Sequence, residues 1–349
     1  MVEVRTYEGD AQDASAFVNR VWGEYYAAQG PLTEFQPRLL DWVLFGNPLA
    51  TPEYRLGAYK GGKLAGVLFT EPIRLRLGDQ DVDGTYGSWF SVDPAFRGEG
   101  VGQKLAQEMS ERQRERGSAL VLACLADGSA GERFWKKMGG TRTFDSLGLW
   151  LHVFDMGAVA RWATSAPQRA LFSLASRWPR RPPVDVDTQG IRPYHPSDLP
   201  ACMGLVDRSM ESVSLGYGYT TERLAHQLQY RDVPRTLVLE RHGSVRGLVN
   251  YYLLPMNARG ALTIALVDLM AFHESVPRAE RKRLLRVAMR DMVAKGAQCS
   301  AMLRSPCVSA GLMLGSGWVP WSGGMRVACL LPSPDVLWPT SPRVFTHLR

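Results

Sequence analysis

The chain contains no run of about eighteen apolar residues, so the sequence offers no helix for crossing a bilayer. Its opening, MVEVRTYEGDAQD, is acidic and polar and lacks the charged-then-apolar layout of a secretory leader. The expected location is cytoplasmic, with no membrane partner. The five cysteines, Cys124, Cys202, Cys299, Cys307 and Cys329, form no C-x-x-C pair and have no clustered histidines nearby. That excludes a zinc ribbon and a disulfide framework and leaves reduced core thiols, so no metal is expected. No block of basic residues and no basic–aromatic interleaving occurs, which argues against nucleic acid. What is present is an ordinary globular composition, 45% hydrophobic and 21% charged over 349 residues, long enough for two domains. The net charge of +7 suits an anionic partner, and a solvated arginine-rich surface accounts for it equally well.

Two halves follow one plan. In the first, the alternating Val2–Tyr7 segment leads into a helix from about Asp13 to Tyr26, with Asp10 and Asp13 as caps. A second helix is predicted over Phe35–Phe45, then a hairpin, Tyr54–Tyr59 and Leu64–Arg76, around Gly61-Gly62. A strand at Gly84–Val92 enters a glycine-rich turn. A helix to about Arg116, a strand Ala119–Ala126, a short helix Glu132–Met138 and a strand Leu147–Phe154 complete it. The second half repeats the order from Ile191 through the hairpin around His242-Gly243, strand Leu262–Ala271, helix Arg278–Lys295 and strand Cys299–Leu303. A repeat at half the chain length means duplication of a domain. Ala158–Trp178 reads as amphipathic helix, and Arg180-Arg181-Pro182-Pro183 as a stiff linker. The boundaries are 1–156, 157–188 for the linker, 189–332, and 333–349 for a tail.

The chemical signal is Phe90-Ser91-Val92-Asp93-Pro94-Ala95-Phe96-Arg97-Gly98-Glu99-Gly100-Val101-Gly102-Gln103. A strand runs into a tight turn that opens a helix. The glycines allow close backbone approach, and the first helical amides are unpaired and sit at the positive end of the dipole. Such a turn is suited to a pyrophosphate. A Walker loop would need Gly-Lys-Ser/Thr, and a Rossmann fingerprint a different last interval; neither is present.

The pattern Val-Asp-Pro-x-x-Arg-Gly-x-Gly-x-Gly resembles the cofactor motif of the GNAT acetyltransferase superfamily. Glu132-Arg133-Phe134-Trp135-Lys136-Lys137-Met138-Gly139-Gly140 is similar to that family's F-Y-x-K-x-G-F segment. The resemblance covers roughly residues 1–155 directly and the second half by repeat. It implies an α/β fold of two tandem domains, each a mostly antiparallel mixed sheet with flanking helices and a splayed central strand pair. It also implies that acetyl-CoA, or another acyl-CoA, binds through Phe90, Val92, Arg97, Gly98, Glu99, Gly100, Val101, Gly102, Gln103, Phe134 and Lys136. The acyl group would pass directly to an amine on a small molecule or sugar.

The sequence departs from the family where chemistry is expected. The usual tyrosine acid is replaced by Trp135, whose indole is a donor but no usable acid. The strand position that carries a glutamate in the histone-modifying branch is Tyr86; it shares a face with Ser88, and the two are the catalytic candidates. Tyr86 reads more simply as a packed aromatic. Some two-domain relatives use the chain's terminal carboxylate as base; here Phe345–Arg349 reads as a frayed tail. Trp22, Glu24, Tyr25 and Tyr26 lie in the stretch that covers the acceptor and are candidate contacts. Trp318, Trp321 and the loop Gly216–Tyr219 are further candidates. In the repeat, Gly100 and Gly102 correspond to about Ala279 and Arg281, so the second copy is expected not to cradle CoA. Alternatives are an acyl-CoA-binding regulator without turnover and an aminoacyl-tRNA-dependent transferase of the same tandem fold. Either a monomer or a homodimer is compatible.

Overall fold

The computed structural model describes residues 1–26, 31–176 and 186–347; the side chains of Ser88, Asp145 and Ser146 fall outside that description. The first half runs β1 (Val2–Thr6), α1 (Ala11–Tyr26), β2 (Leu32–Thr33), α2 (Pro37–Leu40), β3 (Arg55–Lys60), β4 (Lys63–Leu77), β5 (Gln80–Val92), α3 (Val101–Glu115), β6 (Val121–Ala126), α4 (Ala130–Lys137) and β7 (Arg142–Val153). Two connecting helices follow, α5 (Met156–Trp162) and α6 (Ala166–Ala175). The second half begins with β8 (Ile191–Pro193), α7 (Leu199–Met210), β9 (Leu215–Gly218), α8 (Thr221–Leu228), β10 (Arg235–Arg241) and β11 (Ser244–Asn257). It continues through β12 (Ala261–Phe272), α9 (Arg278–Ala294), β13 (Cys299–Leu303), α10 (Ala310–Leu314), β14 (Val319–Leu330) and β15 (Val344–Phe345).

Local chemistry explains the elements that flank the glycine turn. In α1, Ala14, Phe17, Val18 and Val21 recur at helical spacing and are buried. The Asp10 carboxylate accepts from the amides of Gln12 and Asp13 at 2.8 and 2.9 Å, as a cap should. The β3–β4 hairpin closes through Gly61 and Gly62, at φ 57° and 78°, where side chains with a Cβ would be strained. The expected second helix is broken: α2 ends after one turn and Asp41–Phe45 continue as a wider π turn.

The strands join in one sheet whose path is β1-β3-β4-β5-β6-β14-β7-β13-β12-β11-β10-β8. Read from either end the order is equivalent, so the two halves are related by a pseudo-two-fold between β14 and β7. The exchange at the centre was not foreseen. β7, which closes the first half in sequence, pairs antiparallel with β13, from Leu149↔Leu303 to Val153↔Cys299. β14 pairs antiparallel with β6, from Val121↔Leu330 to Ala126↔Met325. Each half therefore lends its last strand to the other.

Two parallel pairs split in the middle of this sheet. β5 and β6 stay paired only through Thr85↔Val121, Tyr86↔Leu122 and Gly87↔Ala123. β12 and β13 pair only through Ile264↔Cys299, Ala265↔Ser300 and Leu266↔Ala301. A Cβ on Gly87 would lie 2.5 Å from Val121 Cγ1, so glycine is what lets β6 close on β5 at the apex of the first split.

Three expectations are corrected. The Gly216–Tyr219 stretch is no cleft-lining loop: β9 pairs with β4 of the first half, Arg74↔Gly218 to Leu77↔Leu215, and Tyr217 is buried. Trp318 is core, near His152, and Trp321 packs on Phe172 of α6. The tail is not frayed through His347: β15 pairs with β9, and Phe345, Thr346 and His347 are buried. The Arg180–Pro183 linker and Arg349 lie outside the described residues.

Candidate functional site

The glycine turn sits where β5 hands over to α3. Asp93 caps the short 3-10 turn that follows it by accepting from Ala95 N–H at 2.9 Å. Burial opposes ionisation of Asp93, but the Ala95 amide and the Arg20 guanidinium at 2.7 Å outweigh it, holding the carboxyl below the usual range. Gly98 and Gly100 are left-handed, φ 81° and 78°, and Gly100 is the N-cap of α3. The first helical bond runs from Lys104 N–H to Gly100 C=O at 3.0 Å. The amides of Val101, Gly102 and Gln103 precede it and have no intrahelical acceptor. A Cβ on Gly102 would press on Phe90 at 3.0 Å and Phe134 at 3.2 Å, so this helix end needs glycine for packing as well.

Side chains around the turn leave a positive, accessible cradle. Arg97 is exposed and its guanidinium stacks over the Tyr25 ring at 3.9 Å. Glu99 is drawn aside by Lys60 at 2.5 Å, which offsets a carboxylate that would repel an anion. Gln103 is exposed. Phe90 contacts Phe134 and Trp135, with ring centroids 4.9 and 5.3 Å apart, and Val92 packs in the same cluster. Lys136 turns back on Glu132 at 2.7 Å. The turn residues Arg97–Gln103 thus stand together, while Phe90, Val92 and Phe134 form the wall beneath them. A 15-residue helix with free leading amides, two left-handed glycines and an arginine fits a pyrophosphate. Among the described residues no group of acidic, histidine or cysteine side chains could hold a metal. No helix among them is long and apolar enough to cross a membrane.

Trp22 and Tyr25 gather at the end of β5 and over the turn. Trp22 donates its indole N–H to Ser91 Oγ at 2.8 Å, and Tyr25 and Tyr26 meet edge to face at 4.6 Å. Burial raises the Tyr26 hydroxyl above its ordinary value. Glu24 points to solvent beside Arg20. Trp135 is buried in the core under α3. Cys124, on β6 just past the split, has a thiol pushed up by burial to about 11, so it stays protonated at neutral pH. Ser88 pairs through its backbone with Phe69; its side chain lies outside the described residues.

Sequence reasoning named Tyr86 but missed the groups that meet it at the split. Tyr86 is buried and its hydroxyl donates to the backbone carbonyl of His347 at 2.8 Å. The His347 ring lies 2.5 Å from the Tyr219 hydroxyl through Nε2 and 3.3 Å from Asp268 through Nδ1. Beside them Glu71 on β4 and Arg223 on α8 form an ion pair at 3.1 Å, each 1% exposed, with Asn47 donating to Glu71 at 2.9 Å. The only advance signal for any of this was a polar residue inside an otherwise apolar strand, as at Glu71 and Asp268.

The split sheet with a glycine turn beside one split defines an N-acyltransferase-type fold, doubled and with exchanged strands. Residues 16–140 match the model of the Acetyltransferase (GNAT) family, so the first half carries a domain of that family and the chain is a tandem GNAT-fold protein. The structure is similar over 100% of this chain and 89% of the other to Saccharomyces cerevisiae N-myristoyltransferase with bound myristoyl-CoA, with TM-score 0.77 and 14% identity. It also resembles a GCN5-related N-acetyltransferase from Anabaena variabilis, with TM-score 0.57, 11% identity, and 95% of this chain and 73% of the other covered. A Kribbella flavida GCN5-related N-acetyltransferase gives TM-score 0.53, 17% identity and coverage of 95% and 72%. No curated protein sequence matches.

Proposed function

We propose that the protein is an acyl-CoA-dependent N-acyltransferase whose cofactor site is the first half alone, transferring acetyl to a primary amine of a small molecule or sugar. The observation that carries this reading is the cradle at Gly98–Gln103 opening beside a split strand pair. Bound there, acetyl-CoA would supply an activated thioester. The leading amides of α3 and Arg97 would hold its phosphates. Beyond Gly87 the edge of β5 that faces β6 has no strand partner among the described residues, so Phe90 and Val92 offer backbone groups to the pantetheine.

The chain's own residues then position rather than attack. Burial pushes the Cys124 thiol up, which speaks against a thiolate nucleophile and supports direct transfer. Tyr86, whose hydroxyl already donates to His347, fastens the tail at the split and is given a positioning role. The test is release of free CoA from acetyl-CoA across a panel of amines. Amine-dependent release supports an enzyme. Tight acetyl-CoA binding with no turnover on any amine favours the regulatory reading, for which the buried Trp135 in place of an acid is the specific support. Binding of RNA without binding of acetyl-CoA would point to the aminoacyl-tRNA alternative.

A further inference from the structure

Trp89 carries three features that packing alone does not explain. It is a non-glycine residue in the left-handed region, φ 56°, a conformation that costs stability and is kept where function needs it. Ser88 pairs with Phe69 and Ser91 with Val67, which leaves Trp89 and Phe90 opposite Leu68 alone, a β-bulge one step past the apex of the split. Its indole is 2% exposed, and the N–H has no hydrogen-bond partner among the described residues. The two neighbouring rings lie on opposite faces of the sheet. Phe90 goes to the α3–α4 side, against Phe134 and Trp135. Trp89 goes to the α1–α2 side, edge-on to Phe35 at 5.9 Å, in the buried cluster with Val67, Phe69, Leu266 and Ala301.

An acyl group entering along the free edge of β5 and heading for the split therefore meets three barriers before it reaches the tail, whose His347 carbonyl lies on Tyr86 and Cys124. The apex is shut, because Gly87 already lies against Val121. One face is shut by Phe90, Phe134 and Trp135. The other is shut by Trp89. We infer that Trp89 is the stop of the acyl channel, limiting the donor to acetyl or a chain a few carbons longer, despite the overall likeness to a fold that holds a fatty acyl chain. Of the three barriers Trp89 is the one whose removal relieves backbone strain, since glycine accepts φ 56° freely. The inference rests on the acyl-CoA reading above.

The experiment is calorimetric titration of CoA, acetyl-CoA, octanoyl-CoA and decanoyl-CoA into the wild type, Trp89→Gly and Trp89→Phe, without acceptor. Circular dichroism checks folding, and the phenylalanine variant keeps a ring in the cluster should the glycine variant collapse. In the wild type the longer chains are expected to add no affinity over CoA. In Trp89→Gly decanoyl-CoA should gain about tenfold or more relative to CoA, the scale on which apolar pockets discriminate methylenes, with Trp89→Phe between. Wild type that binds decanoyl-CoA more tightly than CoA, or folded variants with unchanged ratios, would overturn the inference and leave the acyltransferase reading standing. Failure of CoA and every acyl-CoA to bind folded wild type would overturn both.

Discussion

The turn before α3 and the turn before α9 occupy equivalent places in the two halves and are built from opposite materials. The first spends glycine at Gly98, Gly100 and Gly102 and leaves the leading amides of α3 open. The second has Pro277 at the N-cap, and its own arginine fills the loop: Arg281 donates to the carbonyls of Val276, His273 and Glu274 at 2.8, 3.2 and 2.9 Å. Arg278 reaches across to Gly311 C=O at 2.6 Å, and Glu280 is held by Arg241. The splits themselves are alike: each has a bulge beside it, at Trp89–Phe90 on β5 and at Asp268 on β12. The tail lies against both, with the His347 carbonyl on Tyr86 and Cys124 at the first and Phe345 and Thr346 lining a cavity of about 10 Å³ at the second. The turns set the halves apart: one leaves its leading helical amides open, and the other fills its loop with arginine.

The sharpest way to break this comparison is at the seam between the halves. Arg223→Ala leaves the Glu71 carboxylate buried without its guanidinium and should cost about 3–5 kcal/mol in denaturant unfolding. The double replacement Glu71→Gln/Arg223→Met should recover much of that loss. A cost below about 1 kcal/mol for the single variant would mean that the halves do not depend on the pair.

Phe345→Ala removes a buried tail ring from the core cluster it shares with Tyr86, Leu122 and Leu215, with an expected loss of about 3 kcal/mol in the same assay. A tail that merely rested on the surface would cost almost nothing to trim.

Much of the first half was legible because its signals are local. The alternation before Val92, the glycines, and the apolar stripe of α1 each act within a few residues. So the turn residues and most element bounds could be read directly, β13 to the residue. What stayed hidden depends on partners far along the chain. The exchange of β7 and β14 leaves no trace in periodicity, because a strand that changes its neighbour keeps the same inward and outward faces. Gly216-Tyr217-Gly218-Tyr219 looked like a turn by composition and became a strand because β4 was there to pair with it. His347 read as a terminal residue of no consequence until Asp268, Tyr219 and Tyr86 were brought to it.

A smaller effect sharpens the contrast between the turns. Arg281→Ala should loosen the second turn, with a modest fall in stability of about 1 kcal/mol for lost carbonyl hydrogen bonds, and leave CoA affinity unchanged. A change in CoA affinity would show that the second turn takes part in binding.

The smallest is a pH effect at the first turn. The Asp93 carboxyl lies below its ordinary range, so its contribution is present above the unfolded value near about 4 and is lost as pH falls through the folded value. Asp93→Asn should cost about 1 kcal/mol at neutral pH, given that Arg20 is half exposed, and little at the acid end. Unfolding midpoints from pH 7 to pH 2.5 check it; an equal loss at both ends would assign Asp93 a purely steric role.

The central claim is that one half binds the acyl-CoA and the other does not. Titration of acetyl-CoA into the wild type, a Gly100→Trp/Gly102→Trp variant and an Ala279→Trp variant tests it most directly. One site per chain in the wild type and in Ala279→Trp, with affinity in the glycine variant down by about a hundredfold or more, some 3 kcal/mol, is the predicted result. Two sites per chain, or binding that survives in the folded glycine variant, would contradict it.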